Sequence, residues 1–336
     1  MKVVSAVFGV LIIWFIYDRL APDISRLSWA EVIAQRPAVG PLLMSLVILL
    51  AAQLLHAFLW RRIAVDLGSP TASARSVLHI YFVSSLARYV PGKVWQIAGV
   101  AVLAARFGMA AGRAVAASII AQVVFLATGL VMVGAALPDL AGTLHADSTI
   151  ARIDPLLSGM LILAMCGVAV WVVARTPAGD AMRRLLLRLA GPNVGARLGN
   201  AVAVAEDITA LNAATWVLGY AFSWLLVCGA FVVFVGSFEP VAFARPLLVG
   251  GVLAAAYLGG LLVPFVPAGA GARELIMLAL LGSIMSAPAA VTISIMSRLW
   301  FTASELLPLA LIPIASTTTR SGPSTGREGS TLPGII

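Results

Sequence analysis

Charge is what this sequence has least of. Only 11% of its 336 residues are Asp, Glu, Lys or Arg, against about 25% in an ordinary soluble domain. That shortfall excludes a water-soluble globular chain, and a mean hydropathy of +1.03 agrees. Histidine is scarce too. His56, His79 and His145 are too scattered to build a metal or catalytic cluster. His56, one turn from the end of an apolar run, reads as an interfacial or helix-packing residue. The two cysteines, Cys166 and Cys228, each lie inside an apolar run and read as free packing thiols. HExxH and Cys/His metal spacings are absent, and the GxSxG match Gly322-Pro-Ser-Thr-Gly326 falls in the Ser/Thr/Gly/Pro-rich tail rather than at a strand-to-helix turn. No metal, no cofactor and no catalytic constellation is therefore expected. Alternating apolar and polar residues are missing as well, which excludes a membrane β-barrel.

What is present is a series of continuous apolar runs, several longer than the ~18 residues that mark a spanning helix. They are Met1–Tyr17, Gly40–Trp60, Ala114–Leu137, Pro155–Ala174, Ala210–Val235 and Ala287–Pro313. The first has one lysine but no small-x-small cleavage site, so it reads as an uncleaved helix. The expectation is an all-α polytopic membrane protein with about six full transmembrane helices. The formal charge of +8 points to a cytoplasmic excess of arginine rather than to nucleic acid. Trp60-Arg61-Arg62 reads as an interfacial aromatic followed by cations. Asp139, Asp147 and Asp154 against Arg152 mark an outer connector, 138–154. Arg175, Arg183, Arg184, Arg188 and Arg197 mark a cytoplasmic one, 175–209. There Met182, Leu185, Leu186 and Leu189 share one helical face. They suit a surface helix on anionic lipid, or a plain solvated linker. Residues 1–314 form the membrane domain. The Ser/Thr/Gly/Pro-rich 315–336 reads as a disordered cytoplasmic tail, with both termini cytoplasmic.

Two breaks interrupt this pattern. Ser84–Arg106 reads SSLARYVPGKVWQIAGVAVLAAR. Pro91 removes a backbone donor, and Gly92 permits dihedrals a helix does not use. Broken backbone at membrane depth is tolerated only where it is buried in protein or faces water. Either this is a surface loop whose Arg88 and Lys93 touch phosphates, or it is the tip of a re-entrant hairpin. The arms Ser76–Val90 and Val94–Phe107 favour the hairpin. At ~1.5 Å per residue each spans roughly 22 Å, short of a ~30 Å hydrocarbon core. The second break holds Pro264, Pro267, Gly269 and Gly271, followed at once by Arg273 and Glu274. The two expected hairpins are about 76–107 and 247–286.

LARYVPGKVWQ, followed by a small-residue helix and Arg106-Phe107-Gly108, resembles the signature of the lysylphosphatidylglycerol synthase transmembrane region. That is the flippase-like domain of the MprF type. Pro267, Gly271, Arg273 and Glu274 resemble the family's later Pro-Gly-Gly-x-Gly-x-Arg/Glu stretch, with Ala268 at its first glycine and Ala270 at a usually bulkier position. The resemblance runs from about Gly40 to Pro313. It implies a stand-alone member of the transport-like domain. The family's soluble aminoacyl transferase does not fit after Pro313, so lysyl transfer is expected to be absent.

The order of elements suggests an inverted repeat. Gly40–Trp60 runs inward, a hairpin follows, and Ala114–Leu137 runs outward. Ala210–Val235 runs outward, a hairpin follows, and Ala287–Pro313 runs inward. Inverted repeats with broken helices mark secondary transporters, whose sites lie near the midplane. The candidate headgroup site is where the breaks meet. Arg88 and Lys93 would hold a phosphate, and Tyr89, Trp95 and Gln96 would touch headgroup atoms. Arg273 and Glu274 would lie at the second tip. Arg298 and Glu305, seven residues apart, share one helix face that must point inward. Equally, these charges could simply pair to hold the hairpins. The reading is a lipid flippase-like protein moving an anionic or polyprenyl-linked lipid between leaflets of a bacterial inner membrane. The alternative is a non-transporting partner or scaffold of an envelope-lipid or glycan enzyme. Homo-oligomerisation is compatible with both.

Overall fold

The computed structural model describes residues 29–87, 94–143, 209–261 and 271–311, and among these every regular element is a helix. The order is α1 Trp29–Ala34, α2 Val39–Asp66, α3 Ala74–Leu86, α4 Val94–Arg106, α5 Ala111–Thr143, α6 Ala210–Gly236, α7 Val241–Ala244, α8 Pro246–Leu261, α9 Ala272–Leu281 and α10 Ala287–Leu311. Helices are forced here, because in lipid the backbone must satisfy its own hydrogen bonds. Three of them, α2, α5 and α6, are long and apolar enough to cross a membrane by themselves. The expected spans 1–17 and 155–174, the outer connector beyond Thr143 and the basic connector up to residue 208 lie outside the described residues.

Helix ends follow local chemistry. Ser73 caps α3, its Oγ accepting from the Ser76 N–H at 3.2 Å, and Thr209 caps α6 in the same way from Asn212. α2 and α4 both end in glycine with positive φ, +79° at Gly68 and +78° at Gly108. In each, the next residue's N–H turns back to a carbonyl five residues earlier: Ser69 to Ala64 at 2.9 Å, Met109 to Ala104 at 2.9 Å. These are Schellman ends, which need glycine because a Cβ disfavours that conformation.

Two expectations are corrected. The span ending at Leu137 continues through Pro138 to Thr143. Proline costs a helix about 3 kcal/mol, but Ala136, Leu140 and Ala141 are buried on either side of it, and Ala136 and Leu140 pack against Gly251 of α8. Trp60-Arg61-Arg62 does not close α2, which runs on to Asp66. Trp60 is buried, its Nε1 donating to Ser118 Oγ at 2.9 Å. It is a packing residue of the α2–α5 seam rather than an interfacial anchor.

The four long helices form the frame. α2 and α6 run antiparallel along their whole length. Ala38 N donates to Ser237 O at 2.7 Å at one end, and Trp216 Nε1 donates to Asp66 Oδ2 at 2.9 Å at the other. Gly219 leaves room for Leu59 between them. α5 starts where α2 ends, since Ser69 Oγ accepts from Ala110 N at 3.2 Å and Arg113 donates to Gly68 O. α10 starts beside α1 and runs with α2, through Thr292 Oγ1 to Val32 O at 3.1 Å and Gln53 Nε2 to Ser304 Oγ at 3.5 Å. So α2 and α10 run one way, and α5 and α6 the other.

The short helices pair. α3 packs on α4, with Gly99 against Ser84, and α8 packs on α9, with Gly259 and Gly260 against Ile276 and Arg273. The first pair leaves from the C-terminal end of α2 and the second from the C-terminal end of α6. These ends lie at opposite poles of the frame. The apolar core is split accordingly. One half gathers Leu49, Ala52, Phe231, Phe234, Leu253 and Trp300, the other Ala57, Ile63, Val77, Ile80, Ala104 and Ala117. Leu43, Val47, Leu54 and Phe58 on α2 and Leu218, Phe222 and Leu225 on α6 face outward, as lipid-facing residues should.

Candidate functional site

Between the two cores lies a polar layer. It falls at residues 53–56 of α2, 220–224 of α6 and 304–305 of α10, near the middle of each long helix. The Ser223 hydroxyl donates to the Tyr220 carbonyl at 2.8 Å. It is therefore free to accept from His56 Nε2, 2.8 Å away, which puts a proton on that nitrogen. Gln53 Oε1 lies 3.4 Å from His56 Nδ1. The imidazole is sandwiched by aromatics, stacked on Tyr220 at 5.6 Å and edge-on to Phe125 at 5.0 Å. Phe125 stacks on Trp224 at 4.5 Å, and Tyr257 of α8 meets both rings edge-on. His56 is thus a packing and hydrogen-bonding residue at mid-depth, not an interfacial one.

The second pair of short helices delivers charge to this layer. Gly271, with φ +84°, turns the chain into α9. Glu274 Oε2 reaches back to its N–H at 2.7 Å, one half of a capping box. Glu274 Oε1 accepts from Arg298 Nη1 at 2.8 Å, so the same carboxylate ties α9 to α10. Arg298 and Glu305 both turn inward, and Glu305 is only 3% exposed. Arg273 differs. Its guanidinium lies over the Phe301 ring at 4.1 Å and 5.9 Å from that of Tyr257. Its Nε and Nη2 are buried and have no hydrogen-bond partner among the described residues. Gly260 makes this possible, because a Cβ there would lie 3.2 Å from that of Arg273.

The family model of the lysylphosphatidylglycerol synthase TM region matches residues 2–303. This chain belongs to that family. Among curated proteins no match is found. Membership agrees with the apolar frame: a helical protein integral to a membrane, in a lipid-related setting.

Of the residues singled out from the family motif, Arg88, Tyr89, Pro91, Gly92 and Lys93 lie outside the described residues, as do Pro264, Pro267 and Gly269. Trp95 is described and 54% exposed, and Gln96 is half-buried. Arg273, Glu274, Arg298 and Glu305 come together around the N-terminal turn of α9, with Glu274 and Arg298 occupied by each other. Sequence reasoning read His56 as an interfacial or helix-packing residue and missed Gln53, Ser223, Tyr220 and Phe301. Their signal was available, since polar side chains inside apolar spans are costly unless they find partners across helices. Among the described residues no cluster of His, Cys, Asp or Glu could hold a metal ion.

Proposed function

We propose that this protein is a lipid flippase-like transporter, without enzymatic activity, that moves an anionic or polyprenyl-linked lipid between leaflets of a bacterial inner membrane. The observation that carries this reading is Arg273, a cation at mid-depth with two buried nitrogens that find no partner among the described residues. An unsatisfied buried guanidinium is costly, and an anionic headgroup would satisfy it with charge-assisted bonds. Phe301 and Tyr257 beside it offer an apolar wall for the headgroup's neighbours.

The packing supports the inverted repeat and the two re-entrant hairpins. Exchanging α2 with α6, α5 with α10 and α3–α4 with α8–α9 carries most of the observed neighbours into one another. α8 packs on α5, and α3 packs on α10; α8 packs on α6, and α3 on α2. The short pairs start at opposite poles, and that is the arrangement an alternating-access carrier requires.

The test is lipid translocation in proteoliposomes. Wild type should move a fluorescent anionic lipid, and Arg273→Gln should slow it about tenfold or more, the loss of a charge-assisted contact of roughly 1.5–3 kcal/mol. Lys93→Ala should act likewise, and Lys93→Arg should rescue poorly because a fork does not place charge where an ammonium does. Wild-type vesicles that translocate no faster than empty ones would leave the chain as the partner of an envelope enzyme.

A further inference from the structure

Charge is distributed unequally between the two poles of the frame. At the pole where α2 ends and α5 begins stand Arg61, Arg62, Arg75, Arg106 and Arg113, against Asp66 alone among the described residues. At the other pole Arg36 and Arg245 face Glu31, Asp139 and Glu239. The arginine pole is held rigidly. Gly68 and Gly108 end α2 and α4 side by side with the start of α5, and Ser69 and Arg113 bolt the turn between them.

Few of these cations are consumed internally. Arg62 Nε donates to Asp66 Oδ2 at 3.0 Å, but its side chain stays 55% exposed. Arg75 and Arg106 are exposed, and Arg61 Nε is buried without a partner among the described residues. Below them lies apolar surface. Phe58, one turn before Arg62, is 39% exposed, and Val102, one turn before Arg106, is 61% exposed. Residues four apart share a helix face. Arg62 and Arg106 therefore each top an outward apolar strip, with a cation at headgroup level and hydrocarbon-facing side chains beneath it.

We propose that this pole is a docking surface for anionic phospholipid headgroups of the leaflet it meets, distinct from the mid-depth site and occupied by lipid that is not transported. A phospholipid suits it better than a soluble acidic partner, because the arginines are coupled to outward apolar strips that only an acyl chain would cover. Cations near an anionic leaflet each gain about 1 kcal/mol, and bound lipid stabilises the folded state by mass action.

The experiment uses the full chain in nanodiscs of POPC with rising POPG, read by melting temperature and by native mass spectrometry of retained lipid. Melting should rise with POPG, and more weakly at high salt, since exposed charges are screened. Arg62→Gln, Arg75→Gln and Arg106→Gln combined should abolish most of that rise and the retained POPG. Arg36→Gln with Arg245→Gln, at the opposite pole, should leave both intact. Should the triple variant fold poorly, Arg75→Gln alone, which breaks no observed contact, should reduce retained POPG. A rise that survives in the triple variant, or that disappears equally in the opposite-pole variant, overturns the proposal. Binding of polyglutamate in place of POPG would give the surface to an acidic protein and overturn it too. Translocation separates this result from the transport reading, because Arg273→Gln should slow it whereas the triple arginine variant should lose POPG retention and translocate at the wild-type rate.

Discussion

Glu274 shows how one residue can hold a junction. One of its oxygens caps α9 through the Gly271 N–H, and the other takes Arg298 Nη1. Removing either partner strands a half-buried charge, whereas removing both does not. A double-mutant cycle of Glu274→Gln and Arg298→Met, followed by thermal unfolding in detergent, should give a favourable coupling of about 1–2 kcal/mol. It stays modest because the two side chains are 20% and 35% exposed. Additive single effects would mean that the bond contributes nothing and that Glu274 acts only as a cap. Arg273, one position earlier, makes no such bond among the described residues, so adjacent residues differ in their partners. Their order along the chain did not reveal that difference.

At the scale of elements, the frame depends on small residues where helices cross. A Cβ on Gly129 of α5 would fall 2.6 Å from Trp224 Cζ2. Trp224 cannot yield, because its indole is 1% exposed and its Nε1 donates to the Phe125 carbonyl at 2.8 Å. Gly129→Val should therefore force α5 and α6 apart and lower stability by about 1–3 kcal/mol. Gly142→Val, where a Cβ meets nothing within 4 Å, should change stability only by the helix-propensity difference, a few tenths of a kcal/mol in favour of valine. Equal melting of the two variants in the same detergent would show that α5 and α6 are not closely packed at Gly129. Gly129 lies in an apolar run where nothing local distinguishes it from its neighbours, so its importance was not readable from sequence. Gly92 and Gly271, flanked by proline or charge, stood out at once.

For the whole molecule, the arginine pole should be cytoplasmic under the cation bias. On a background lacking Cys166 and Cys228, a cysteine at Ser73 should react with thiol reagents only after the membrane is permeabilised. One at Ser237, at the opposite pole but buried, would report poorly, so Glu239→Cys is the better outer probe and should react in intact cells. Gly92→Cys should resist impermeant reagents from outside. Ready external labelling at Gly92 or Ser73 would reverse or unfold the proposed hairpin topology.

Composition alone decided that this is a helical membrane protein, because mean hydropathy and run length are sums over neighbouring residues and need no partner. The Pro91-Gly92 and Pro267–Gly271 breaks are read from sequence on the same ground, since proline and glycine act on their own backbone, but residues 88–93 and 262–270 lie outside the described residues. The family was legible too, through LARYVPGKVWQ. Other features came only with tertiary structure: the polar layer around His56 and Ser223, the burial of Trp60, the run of α5 through Pro138, and the difference between Glu274, bonded to Arg298, and Arg273, whose Nε and Nη2 find no partner among the described residues. Each depends on how two distant helices are rotated and at what depth they meet. His56 finds Ser223 across 167 positions of chain, and no local pattern carries that distance.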